Sequence, residues 1–174
     1  MKKKLTKLIA LGIVMMGFSA SSFAQTDVKT ATASASATII APISITKVND
    51  LNFGNVIATS TGGTVVLSPA SARTESGVQL PTVAGTVSAA SFTVTGQDGY
   101  AYTVTLPADG YAIKTGGGTA AETMTLSAFT SNSTGTLTGG SQTLSVGATL
   151  NVVANQTAGV YTNATGFDVS VNYN

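Results

Sequence analysis

Ala90-Ser91-Phe92-Thr93-Val94-Thr95-Gly96-Gln97-Asp98-Gly99-Tyr100-Ala101-Tyr102-Thr103-Val104-Thr105-Leu106-Pro107 is the stretch whose reading decides the fold. Phe92 and Val94 alternate with Thr93 and Thr95. Tyr100, Tyr102, Val104 and Leu106 alternate with Ala101, Thr103 and Thr105. Successive strand side chains point to opposite faces, so this alternation predicts strands with one apolar side. Asp98-Gly99 supplies the positive φ angles of a tight turn, so the stretch reads as a hairpin. Tyr100 and Tyr102 share a face with two aliphatic residues, which predicts core packing for both.

The same period extends outward in both directions. Ala31, Ala33, Ala35, Ala37, Ile39, Ala41, Ile43 and Ile45 occupy odd positions, with Thr and Ser at most even ones. One strand of that length would far exceed the usual size, and Pro42 has no N–H to give a ladder. Two pieces are therefore expected: an arm or edge strand over residues 25–38, and a packed strand from Ile39 to Ile45. Further strands are expected at Leu51–Val56 with a bend at Gly54, at Thr64–Leu67, and weakly at Val78–Leu80, with residues 70–76 as loop. Pro107-Ala108-Asp109-Gly110 is a second turn, leading to Tyr111 and Ile113. Met124, Leu126 and Ala128 alternate next. Leu144 with Val146 and Leu150 with Val152 read as a pair of strands pivoting at Gly147. Phe167, Val169, Val171 and Tyr173 close the chain in alternation. Eight to ten short strands with Gly- and Pro-marked turns predict an all-β, antiparallel sandwich or barrel.

The N-terminus reads as an export signal. Lys2, Lys3, Lys4 and Lys7 precede an uncharged, mostly apolar run from Leu8 to Phe18, and Ser22-Phe23-Ala24 ends it with small residues at the cleavage positions. Residues 1–24 are thus expected to be a signal peptide removed before Gln25. The run is too short for a membrane anchor. Residues 25–38 then form the arm and residues 39–174 a single domain, of a size that buries a real core.

Of the eight basic residues in the 174-residue chain, Lys29, Lys47, Arg73 and Lys114 remain after cleavage, against seven acids. So sparse and slightly acidic a surface argues against nucleic acid and against polybasic lipid docking. There is no Cys, His or Trp. Without imidazole or thiol the usual nucleophile–base pairs are unavailable, and only oxygen ligands remain for a metal. Lys47 and Lys114 sit in no Ser–Lys motif. Asp98, Asp109, Glu122 and Asp168 are the carboxylates formally open to acid–base work, but Asp98 and Asp109 each precede Gly, where Asp serves a turn. Gly116-Gly117-Gly118-Thr119 lacks the lysine of a phosphate loop. The acceptor patterns at Asn132, Asn155 and Asn163 read as chance matches in a Ser- and Thr-rich chain. No catalytic, cofactor or metal site is expected.

Four segments together resemble a secreted bacterial family. They are Ile43–Thr46 leading to Leu51-Asn52-Phe53-Gly54; Ala90 through Pro107; Val146-Gly147-Ala148-Thr149-Leu150-Asn151-Val152; and Gln156 to Tyr173, with Ala158-Gly159-Val160-Tyr161 inside. The combination resembles the domain-of-unknown-function family numbered 4402, which carries no assigned reaction or binding residues. More distantly, Ala158, Gly159, Tyr161, Phe167, Val169, Val171 and Tyr173 make a closing segment similar to those of chaperone–usher pilins and spore coat U domains. That similarity implies an immunoglobulin-like sandwich and a role in surface fibres. It also implies that Ala31, Ala33, Ala35, Ala37 and Ile39 form an assembly strand, adding to the open sheet edge of another subunit. The cysteine pair common in pilins is absent, and alanines would fill only shallow pockets.

The function expected is therefore an exported, non-catalytic structural or interaction protein: a fimbria-like surface or matrix subunit, periplasmic, cell-surface or extracellular. Its partners would be itself or other surface subunits, joined by strand pairing, with no nucleic acid and no membrane span after cleavage. The alternative is a soluble secreted module that binds carbohydrate or protein, with Tyr100, Tyr102 and Tyr111 as candidate sugar platforms. A third reading is an eight-stranded outer-membrane barrel, against which the short strands and uneven aromatics count.

Overall fold

In a computed structural model, residues 27–174 are described; the expected signal peptide and its cleavage point lie outside them. Residues 27–38 carry no strand or helix and are exposed throughout. Ile39–Asn174 is a compact unit of its own.

That unit is an antiparallel β-sandwich of nine strands: β1 Ser44–Asn49, β2 Gly63–Leu67, β3 Arg73–Ser76, β4 Ala90–Thr95, β5 Tyr102–Thr105, β6 Tyr111–Lys114, β7 Thr123–Ser131, β8 Ser141–Val152 and β9 Ser170–Tyr173. The one helical piece among the described residues is the 3-10 turn Ala120–Glu122. Seven strands form one sheet around β8, and β5 pairs with β9 in the second. Neither sheet closes, so the architecture is no barrel.

β8 organises the molecule. Leu144, Val146, Ala148, Leu150 and Val152 are all buried, so a single face stays inward along its whole length. Ser141–Val146 pairs with β4 and Ala148–Val152 with β2, while β7 runs along the opposite edge. The change of partner falls at Gly147. A Cβ there would meet Leu67 O at 2.1 Å and Ser68 C at 2.7 Å, so only glycine lets β2 end against β8. The two strands expected over 144–152 are thus one, and Gly147 marks a partner change and not a break.

The core has two parts along this face. Ala90, Phe92, Val94, Leu144 and Val146 pack with Tyr102 and Leu137, and β9 covers them through Val171 and Tyr173. Val65, Leu67, Leu126, Ala148, Leu150 and Val152 pack with Phe53 and Val78. Registers run straight across the second part: Tyr111 of β6 opposes Leu126 of β7, Leu126 opposes Leu150 of β8, and Leu150 opposes Val65 of β2. Over this row the covering layer is made of non-strand segments, Leu51 to Ala58 and Gln156 to Phe167.

Several local expectations are corrected. The packed strand does not start at Ile39, which is 97% exposed; β1 begins at Ser44, beyond Pro42, and Ile43 and Ile45 face the core. Ala41 is held by side chains, with its N–H donated to Gln97 Oε1 and its carbonyl accepting Tyr173 Oη–H. Asp98-Gly99 does not close a hairpin. β4 pairs with β1 and β8, and β5 with β9, so the turn carries the chain between sheets. Asp98 Oδ1 accepts the Gly139 N–H at 2.6 Å, and the Gly99 N–H bonds Leu137 O. Residues 73–76, expected as loop, are edge strand β3, polar because one side of it has no partner. Leu51–Val56 and Val78–Leu80 reduce to isolated bridges, Asn52 to Ser88 and Ile57 to Gln79. A bulge at Ala128, with φ of 47°, turns that residue outward and Phe129 inward. The closing alternation from Phe167 holds in burial, but only Ser170–Tyr173 makes a ladder.

Candidate functional site

The gap in the covering layer is the site. A groove of about 1060 Å³ opens between Lys47–Val56 on one side and Gly159–Phe167 on the other. Its floor is the inward row of the large sheet: Tyr111, Ile113, Met124, Leu126 and Leu150, continued by Ala90 and Phe92. A second pocket of about 370 Å³ shares Val56, Met124, Gly159 and Tyr161 with it, which extends the groove past Ile57 and Ala58.

Each wall is a backbone held from its outer side. Asn52 pairs with Ser88, the Asn55 N–H donates to Ala84 O, and Ile57 pairs with Gln79. Arg73 of β3 reaches across, and its Nη1 donates to Phe53 O at 2.6 Å and Asn55 O at 3.0 Å. The opposite wall is tied to β6 by reciprocal bonds between Lys114 and Thr162 and by Asn163 Nδ2 donating to Ala112 O. Among the described residues no backbone hydrogen bond joins Leu51–Val56 to Gly159–Phe167 across the groove. An apolar floor between two unbridged backbones is the geometry that accepts an added extended strand.

The closing motif builds the second wall. Gln156 is the buried polar side chain of this region. Its Nε2 donates to Ala121 O, Thr123 O and Tyr161 Oη, and its Oε1 accepts the Val153 N–H. The Tyr161 hydroxyl bonds Thr157 O at 2.6 Å. Gly159 lies so close to the end of β6 that a Cβ would meet Oγ1 of Thr115, the next residue, at 2.7 Å. Ala158 is exposed at the tip, and Val160 projects from this anchored turn with 80% of its surface exposed, on the groove lining. Phe167 sits edge-on to Tyr111 at 5.6 Å and packs on Phe129. Val169, Val171 and Tyr173 belong to the core beside it.

The other sequence candidates are dispersed. Ala31, Ala33, Ala35 and Ala37 are exposed and in no strand, and Ile39 is almost wholly exposed. Tyr102 is buried, with its hydroxyl donated to Gln142 Oε1 at 2.6 Å. Tyr100, expected in the core, is 43% exposed and leans on Tyr173, while Tyr111 is half-buried in the groove floor. The three tyrosines form no common platform. Three of the four candidate carboxylates serve local structure: Asp98 the turn above, Asp109 through the Ala128 N–H at 2.7 Å, and Glu122 the Thr119 N–H and hydroxyl; Asp168 is exposed at the surface. Those Thr119 bonds hold the Glu122 carboxyl below its ordinary pKa, whereas burial raises that of Tyr111. No cluster of three metal-ligating side chains occurs among the described residues.

Sequence reasoning missed the groove. Leu51, Phe53 and Val56 read as a strand, and what they form is an unpaired wall. Arg73 was passed over because its neighbours read as loop.

The chain belongs to the family described as a domain of unknown function (DUF4402), whose model matches residues 43–173. No curated protein matches the sequence. No solved structure matches it either.

Proposed function

We propose that this DUF4402 chain is an exported, non-catalytic structural or interaction protein, a fimbria-like subunit of a cell surface or extracellular matrix. It joins its neighbours by taking an extended segment into the groove. One observation carries the reading: a groove of about 1060 Å³ with an apolar floor lies between two walls that, among the described residues, no backbone hydrogen bond bridges. Added strands bind such sites through main-chain hydrogen bonds, with alternate side chains entering the floor. The export signal expected at residues 1–24, the exposed stretch 27–38 and the similarity of the closing segment to pilins agree with it. Three of the four candidate carboxylates support a non-catalytic role, since Asp98, Asp109 and Glu122 are each engaged by a backbone N–H.

The test is the size and location of the secreted protein. Assemblies associated with the cell surface or matrix are expected for the natural chain. Val160→Arg together with Ala164→Arg should abolish them, because both residues are exposed groove-lining positions whose change leaves the core intact. A wild-type protein that is monomeric in every fraction and at every concentration would contradict the reading.

A further inference from the structure

The seven-stranded sheet has a second side, turned away from the core and the groove. We infer that this outer face binds a single extended chain of neutral polysaccharide, laid across the strands along Thr74, Val66, Thr149 and Ser127. The inference is independent of the strand-accepting groove.

Alternation puts hydroxyls on this face. Val65, Leu67, Leu126 and Leu150 are buried inward, so Thr64, Val66, Thr125, Ser127, Thr149 and Asn151 point outward. The registers align them. Thr74 of β3 opposes Val66 of β2, Val66 opposes Thr149 of β8, and Thr149 opposes Ser127 of β7. Beside that row lies a second, Ser76, Thr64, Asn151 and Thr125, again with one residue from each strand. Toward the other end of β8, Thr46, Thr93 and Thr143 form a third row on β1, β4 and β8. None of these residues is buried.

The face is neutral. Among the strand residues that point outward only Lys114, at the end of β6, is charged, since Arg73 and Glu75 lie on the other side, across from Leu67 and Val65. A well-solvated surface is commonly about 25–35% charged. Without charge the face has nothing to hold phosphates, acidic glycans or ionic mineral. Without an outward aromatic ring it lacks the usual anchor of a protein interface. A Thr or Ser hydroxyl both donates and accepts. So does each hydroxyl of a sugar, and neither partner strips water from a charge on contact. The Thr74 and Thr149 hydroxyls are bonded to no other described residue, whereas Asn151 holds Thr125 and Ser127. Val66, 43% exposed in the middle of the row, offers an apolar contact to the C–H face of a sugar ring.

Spacing and twist select the form of the ligand. Neighbouring strands lie about 4.8 Å apart. That is close to the advance per hexose along an extended β-1,4-linked chain, so each strand meets one sugar. Successive strands are also rotated by about 20–25°. A flat lattice, of ice or of packed glycan, therefore diverges from the row, whereas a lone chain follows it by turning about its linkages.

Isothermal titration of the exported protein with cellohexaose and chitohexaose tests this, with an oligogalacturonate of the same length as the anionic counterpart. At least one neutral hexasaccharide should bind, and the anionic chain should not. Thr74→Val with Thr149→Val removes two hydroxyls and keeps shape and strand preference. It should weaken binding about tenfold, with the melting temperature close to that of the natural chain. Thr46→Val with Thr143→Val, outside the path, should leave binding unchanged. If neither neutral sugar binds, or the anionic chain binds equally well, the inference is overturned. If the Thr46 and Thr143 pair weakens binding as much as the Thr74 and Thr149 pair, the assigned row is wrong. Ice crystals shaped by a protein that binds neither sugar would assign the face to ordered water instead.

Discussion

Gly147 carries more of the topology than any bulky core residue. It sits between Val146 and Ala148 in a strand whose even-numbered residues stay buried from Leu144 to Val152, and it lets one strand serve two partners. A methyl group there would meet backbone atoms of Leu67 and Ser68, which cannot rotate away as a side chain can. Gly99 differs. Its φ is 78°, but nothing lies within 4 Å of a Cβ. Gly99→Ala should therefore cost only the left-handed conformation, about 1–2 kcal/mol. Gly147→Ala carries no such backbone penalty but overpacks the sheet against Leu67 and Ser68, and should cost about 3 kcal/mol. Urea unfolding of the two variants measures the difference, and equal losses would contradict this account of β8.

The short elements depend on local chemistry. The 3-10 turn Ala120–Glu122 is closed by a capping box, in which Thr119 and Glu122 satisfy each other's free groups. Because its folded-state pKa is depressed, Glu122 contributes stability above its unfolded pKa and loses it as pH falls through the folded value. The group is exposed, so the effect is local fraying. The Thr119 amide resonance should titrate with a midpoint below the ordinary glutamate value; a midpoint at or above it would contradict the capping assignment. Gln156 and Tyr161 both bond Ala121 O, so fraying should reach the root of the second groove wall.

At this scale the sequence was informative where burial alternates and silent where pairing is chosen. Val65 and Leu67, Phe92 and Val94, and Leu144 through Val152 announced β2, β4 and β8, because each has one buried face. The hairpin expected at Asp98-Gly99 failed because a turn signal fixes a local bend and not the sheet its flanks join. β3 escaped notice because Arg73-Thr74-Glu75-Ser76 is polar on both faces, as an edge strand is permitted to be. The expected strand at Leu51–Val56 had the right burial, yet the walls of a groove and the strands of a sheet show the same alternation. A missing strand leaves no mark in the sequence that lacks it.

For the whole molecule, the two parts of the core are covered differently. β5 and β9 lie over the part around Leu144, whereas the part around Leu150 is left under two separate walls. The half-buried floor residues Tyr111, Ile113 and Met124 between those walls are largely apolar, and burying them further against another chain is favourable. Arg73, Gln156 and Tyr161 fix the walls from outside, so the groove is formed before an occupant arrives and little ordering is needed on binding. The central claim is that a strand completes this gap on assembly. Amide hydrogen exchange tests it most directly, with the natural chain compared as a dilute monomer and in its assembled form. The account predicts that the amides of Leu51, Phe53, Val56, Val160 and Phe167 exchange freely in the monomer and become protected together on assembly. Assemblies in which these wall amides exchange as they do in the monomer, while protection appears at another edge such as β3, would contradict it.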